Sequence, residues 1–385
     1  MHSVDIGEPP QTVTVLVDTG SSELWVNPDC STAPSAHQAE QCRDFGHYNP
    51  DDSKTPPVKL EEGEILYGDL ADPSTRTTID VQYYADTIAI GGSSAVIKNQ
   101  TFGVVTSSKG QPQGILGLAP DLDSGFGDTP YSMVLNSMYE QKIISARSFA
   151  LDLRHSESAA GAVIFGGVDR SKFIGSLEKT PLIKGLQGEY RLGVELDSLG
   201  VTLGDAPSEY ELNGDDRNVI LDSGTTISRV HWAAAAPILE AISAVNDGEG
   251  YFYVSCDMRE SAGSVDFGLG SKKIRVPFRD FILDVGDSTW CAVGMAITTD
   301  QQIIGQSVLR AGYFVFDWDN KAVHVAQGAD CGDEDIVPLE DGVPKVTGHC
   351  NEDDAAFTGG VVEVSRYSLV SPFSLLHDDR GLTNT

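Results

Sequence analysis

Basic residues are scarce in this chain. Twenty-six lysines and arginines face 57 acids, a formal net charge of −31 at pH 7. A surface of that sign repels nucleic acid and anionic membranes, so neither is an expected partner. Much of that charge is lost once carboxylates protonate at low pH. Long apolar runs are also missing, and no segment is long enough to span a membrane as a helix. No signal peptide is visible; for a secreted protein the expectation is a leader upstream of Met1. There is no His-Glu-x-x-His and the eight histidines are scattered, which argues against a zinc site; no metal and no cofactor is expected. Gly305-Gln306-Ser307-Val308-Leu309 fails the Gly-x-Ser-x-Gly pattern at its last position. Gly268-Leu269-Gly270-Ser271 lacks the third glycine of a dinucleotide loop.

What is present reads as a turn-rich β protein. Forty glycines and eighteen prolines fall between short apolar runs. Strands are expected at 12–17, 86–90, Ala162–Phe165, 219–221 and 313–317. Helices are expected at 131–141 and at 231–245, the second with Pro237 in its path. The 385 residues exceed one simple core, so two lobes are expected. Cys30, Cys42, Cys256, Cys291, Cys331 and Cys350 form three sequence-local pairs without a C-x-x-C. That pattern fits disulfides and an oxidising compartment; of fifteen formal connectivities, neighbour pairing is the simplest. Asn99-Gln100-Thr101 is a glycosylation sequon, consistent with secretion.

The central signal is an internal repeat. VTVLVDTGSSELWV, residues 13–26, is an aliphatic run that ends in Asp18-Thr19-Gly20-Ser21. NVILDSGTT, residues 218–226, repeats the pattern around Asp222-Ser223-Gly224-Thr225, 222 − 18 = 204 positions later. A second echo follows in the same order, with GILGLA at 114–119 and IIGQSVL at 303–309. Each half thus reads as strand, acidic turn, further strands, then an apolar-apolar-glycine strand leading into a helix. Gly20 and Gly224 allow a tight turn beside each acid. Brought together, Asp18 and Asp222 cannot both ionise cheaply, so one proton is shared between them. The mixed state supplies a general base and a general acid at once, suited to water attack on an amide without a covalent intermediate. Ser21 and Thr225 are placed to hold the outer carboxylate oxygens, and Thr19 and Ser223 to cross-link the two loops. A two-carboxylate glycosidase also pairs acids, but does not need both within matched turns.

With YNPDDSKT, YGD, VIFGGVD and IIGQSVLRAGYFVFD in order around these repeats, the chain resembles the pepsin-like aspartic endopeptidases, in particular secreted or cell-surface fungal ones. The resemblance covers 4–326. It implies an all-β bilobal fold with a few short helices and pseudo-twofold lobes flanking a cleft. The lobes are expected at 1–178 and 179–328, followed by an acidic, cysteine-bearing extension at 329–385, peripheral and disordered toward its end. It implies Asp18 and Asp222 as the catalytic pair and Tyr67 as a flap tyrosine over the substrate. Trp25 backs that tyrosine, and Gly68, Asp69 and Ile115 join Tyr67 and Trp25 in contacting substrate. Cys30 with Cys42 resembles the first-lobe disulfide of the family, and Cys256 with Cys291 the second. The implied activity is cleavage of extended protein or peptide substrates at acidic pH by a monomer that is extracellular or in the secretory pathway, with vacuolar or cell-surface placement compatible. An inactive binding or inhibitor protein is the rival reading, since fold does not dictate activity. The chain departs from the family in four places, one of them the cysteine-bearing tail after Asp330. Its N-terminal strand is short, Leu70 follows the Tyr67-Gly68-Asp69 triplet, and Gln306 stands where an acid is common, a change expected to alter the pH profile. The acidic segment 121–128 suggests tolerance for Lys or Arg in the substrate.

Overall fold

The computed structural model describes residues 2–354 apart from 28–29, 31–32, 34, 55–56, 68–76, 92–94, 109–112, 128–132, 156–160, 287–288 and 352–353. The described residues form six β-sheets and a few short helices, the all-β bilobal architecture expected. Two of these sheets carry the acidic turns. In the seven-stranded sheet of the first half, Gln11–Asp18 lies parallel to Gly114–Gly117, with Val17 opposite Leu116. In the second half, Asn218–Leu221 lies parallel to Gln302–Ile304, with Leu221 opposite Ile304. The two sequence echoes are therefore physical neighbours of the two aspartate strands. Val15, Leu116, Val219 and Leu221 are fully buried, so both strands are anchored in one continuous apolar core.

The second echo runs directly into the short helix Gln306–Leu309, as expected. The first does not: no helix lies within 119–127, and the next helix among the described residues, Val134–Glu140, begins sixteen residues beyond Leu118. The helix expected at 231–245 spans Trp232–Ala241 and tolerates Pro237, because the Ala233 position it leaves unbonded is on the exposed face. Ser243 then takes a left-handed backbone, φ +56°, and the chain turns into the Val245–Asn246 strand. Helix Ala36–Phe45 has no apolar period to announce it. Its anchor is the disulfide from Cys42 to Cys30. The other two bridges join Cys256 to Cys291 and Cys331 to Cys350, so all three follow neighbour pairing.

Strands from both halves meet in a five-stranded sheet of Glu178–Pro181, Ala322–Gln327, Gly312–Asp317, Ser148–Asp152 and Ala162–Phe165. Tyr313, Val315, Ala326 and Ala150 share one face of it. That face is covered by Phe173 and by Leu339, Val343 and Val346 of the C-terminal extension. Ile336–Pro338 pairs with Gly167–Asp169, and Gly348 and His349 hydrogen-bond to the carbonyls of Gly175 and Arg170. The beginning of the extension is thus a strap across the sheet that joins the halves, not a peripheral appendage, while 355–385 lies outside the described residues. Leu339 is the strap's buried anchor, 1% exposed. Leu339→Ala is expected to cost about 2–5 kcal/mol, read as a lowered denaturation midpoint. A native midpoint would show that the strap does not stabilise the sheet.

Candidate active site

Each aspartate is delivered by a strand end. The Asp18 carbonyl accepts from Leu118 N–H at 2.8 Å, and Asp222 N–H donates to the Ile304 carbonyl at 2.9 Å. Beyond each acid the chain turns, and the two turns hold their acids alike. Gly20 N–H donates to Asp18 Oδ1 at 2.8 Å and Ser21 Oγ donates to Oδ2 at 2.5 Å. Gly224 N–H donates to Asp222 Oδ1 at 2.7 Å and Thr225 Oγ1 donates to Oδ2 at 2.7 Å. Every carboxylate oxygen thus has a donor from its own turn, and neither side chain is free to rotate.

Four further bonds lock the turns together. Thr19 Oγ1 donates to the Leu221 carbonyl and accepts from Ser223 N–H, both at 2.8 Å. Ser223 Oγ donates to the Val17 carbonyl at 2.8 Å and accepts from Thr19 N–H at 3.1 Å. Thr19 and Ser223 are both buried, so breaking either leaves unpaired polar groups away from water. The lock brings the glycines against the opposite acids. A Cβ on Gly20 would lie 2.5 Å from Asp222 Cγ, and one on Gly224 would press on Asp18 Oδ1. At this approach only glycine fits.

The two carboxyls are close neighbours: a Cβ on Gly224 would stand 2.4 Å from Asp18 Oδ1 and 3.1 Å from Asp222 Oδ1. Burial raises the pKa of Asp18 well above the carboxylate range, and the neighbouring Asp222 charge raises it further. The Ser21 and Gly20 donors pull the other way and are outweighed. Burial and the neighbouring carboxylate thus favour one proton shared by the pair.

Tyr67 ends the Val58–Tyr67 strand. Its hydroxyl accepts from Trp25 Nε1–H at 2.5 Å. Its own proton is held tightly, through burial first and the Asp18 charge second. Trp25 is fully buried and Ile115 is 6% exposed. Both pack with Ile79, Val81 and Val105 beneath Tyr67, backing the site instead of lining it openly. Gly68 and Asp69 lie outside the described residues. Glu23, absent from the sequence expectations, accepts from Tyr83 Oη at 2.6 Å beside this group, and burial raises its pKa. Its position inside the first repeat was the available signal; its partner Tyr83, on the Thr77–Ile90 strand, had none. Asn99 of the sequon is exposed at φ +53° on the Val96–Ser108 strand.

Residues 1–328 match the eukaryotic aspartyl protease family. Candidapepsin of Candida tropicalis is 33% identical over 341 residues, which cover 87% of this chain and 80% of that protein. Secreted aspartic protease 1 of Candida albicans is 33% identical over 336 residues, covering 84% and 80%. Secreted aspartic protease 3 of the same organism is 32% identical over 339 residues, covering 84% and 78%.

Proposed function

The chain belongs to the eukaryotic aspartyl protease family and is an aspartic-type endopeptidase, and from that premise we propose that Asp18 and Asp222 are its catalytic pair. The observation that carries this is the close approach of two carboxyls held in matched, interlocked turns. The proton-sharing pair is the general device of this family. Asp222 takes a proton from a water held between the carboxyls as its oxygen attacks the scissile carbonyl carbon. Asp18 gives its proton to the carbonyl oxygen, producing a neutral tetrahedral diol. Asp222 then passes its proton to the departing amide nitrogen, a diol hydroxyl returns one to Asp18, and the C–N bond breaks.

The substrate is an extended peptide, with Tyr67 closing over it and Trp25 and Ile115 stiffening the wall behind. Gly68 and Asp69 extend the same surface in this reading. The catalytic lobes are 1–178 and 179–328. The protein acts as a monomer in the secretory pathway or outside the cell, with a glycan at Asn99. Two of the relatives are named as secreted aspartic proteases, and three disulfides suit an oxidising compartment.

The test is hydrolysis of an unfolded protein at acidic pH, with and without a statine-type transition-state analogue. Cleavage that the analogue abolishes is expected. Folded protein, verified by circular dichroism, that cleaves nothing would favour the rival reading of an inactive binder.

A further inference from the structure

A continuous set of hydrogen bonds runs from the Asp222 turn to the C-terminal strap. Gln306 opens the short helix after the Gln302–Ile304 strand. Its backbone N–H donates to the Thr225 carbonyl at 2.8 Å. Its side-chain Nε2 donates to the Ser223 carbonyl at 2.7 Å. That carbonyl belongs to the same planar peptide unit as Gly224 N–H, the donor to Asp222 Oδ1. One end of the peptide plane is therefore gripped by Gln306 while the other end grips the carboxylate. Rotation at either end moves both.

The amide of Gln306 is itself oriented. Arg310 Nη2 donates to its Oε1 at 2.9 Å. A guanidinium only donates and a carbonyl only accepts, so the amide oxygen must face Arg310 and the NH2 must face Ser223. A carboxylate in this place would satisfy Arg310 and confront the Ser223 carbonyl with no hydrogen. Arg310 Nη1 donates onward to the Arg154 carbonyl at 3.3 Å.

Arg154 stands at φ +59°, a left-handed conformation that a non-glycine residue keeps only when its surroundings impose it. Its side chain is held in an ion cluster. The Arg154 guanidinium binds Asp152 Oδ2 at 2.6 Å and also Asp330 Oδ2. Lys172 Nζ binds the other Asp330 oxygen at 2.6 Å and the Gly332 carbonyl at 2.9 Å. Asp330 immediately precedes Cys331, whose disulfide to Cys350 closes the strap.

We propose that Gln306 is a positioning residue that fixes the Ser223–Gly224 peptide plane and so aims the Asp222 carboxylate, and that Arg310 and Arg154 tie this amide to the Asp330 anchor of the C-terminal strap. The inference rests on the reading of Asp222 as a catalytic carboxylate and deepens it. It assigns a role in turnover to the strap, which supplies neither carboxylate of the pair.

The test compares steady-state kinetics of Gln306→Leu, Gln306→Glu and Asp330→Asn with the native chain, over a range of pH and on one peptide substrate. Gln306→Leu removes the grip with little change of volume; kcat is expected to fall about tenfold with KM within about twofold. Gln306→Glu is expected to show the same loss at its ionised end and to recover kcat as the pH falls, because the protonated carboxyl again donates to Ser223. The charged and titratable groups around it are Arg310, which delays that recovery to lower pH, the Asp18 and Asp222 carboxyls, and Asp280 behind Arg310. Gln306→Leu, with nothing to protonate, is expected not to recover. Asp330→Asn is expected to lower kcat about threefold at unchanged KM. Native kcat in Gln306→Leu, a loss carried by KM, or parallel pH profiles of the two Gln306 variants would overturn the positioning role. Native kcat in Asp330→Asn would overturn the link to the strap. Asp222→Asn in the same assay separates the two levels. Activity there overturns the catalytic pair itself, whereas an inactive Asp222→Asn beside a native-like Gln306→Leu overturns only the positioning.

Discussion

Asp18→Asn and Asp222→Asn are each expected to lower kcat by about a thousandfold or more, with the fold retained. The amide preserves shape but neither gives nor takes the proton that the reaction needs. The two variants are expected to differ in a second property. Folded Asp18 keeps a proton at pH values where the unfolded chain has lost it, through burial first and the Asp222 charge second. A raised carboxyl pKa contributes stability that is fully present below the unfolded carboxylate range. That stability is lost as pH rises through the folded value. The native protein should therefore lose stability on going from about pH 5 to about pH 8, and Asp18→Asn should flatten this dependence. Urea denaturation at a series of pH values reads the slope. An Asp18→Asn slope as steep as the native one would place the bound proton elsewhere, and a fully active Asp222→Asn would remove that residue from the mechanism.

Gly20→Ala is expected to inactivate the protein without deleting any reacting group. The added methyl would sit 2.5 Å from Asp222 Cγ and 2.6 Å from both of its oxygens, closer than atoms tolerate. Asp222 has nowhere to go, because Gly224 N–H and Thr225 Oγ1 hold both oxygens. The strain is steric and not conformational, since Gly20 is not among the residues with positive φ. Displacement of the carboxylate by a fraction of an ångström to an ångström should reduce kcat about a hundredfold. Gly224→Ala is its mirror image, aimed at Asp18. Gly127→Ala, where an added Cβ meets nothing within 4 Å, serves as the control and should turn over normally. A Gly20→Ala variant with native kcat would mean that the two turns are farther apart in solution than this arrangement requires.

The aspartate turns were legible because they are local and doubled. A strand of alternating buried residues ending in an acid, a hydroxyl residue and glycine has few other readings, and its second copy fixed the partner. Neighbour pairing of the cysteines was legible for a similar reason, since short loops close easily. Other features had no such signal. Helix Ala36–Phe45 is mostly polar and depends on a disulfide for its place. The extension reads as acidic and loop-like, yet Leu339, Val343 and Val346 find a sheet face built from residues far away in sequence. Glu23 and Tyr83 meet across 60 positions, and Arg154 meets Asp330 across 176. A lone charged residue carries no mark of its partner when the two are brought together only by the completed fold.

By itself the sequence determined the strand-borne acids, their glycines, the hydroxyl residues beside them and the all-β class, because each follows from local spacing and from repetition. Only the tertiary structure decided which peptide plane holds Asp222, what orients Gln306, and that residues 330–350 brace the sheet joining the halves. Those are contacts between segments distant along the chain, and the closeness of such segments is set by how the whole core packs.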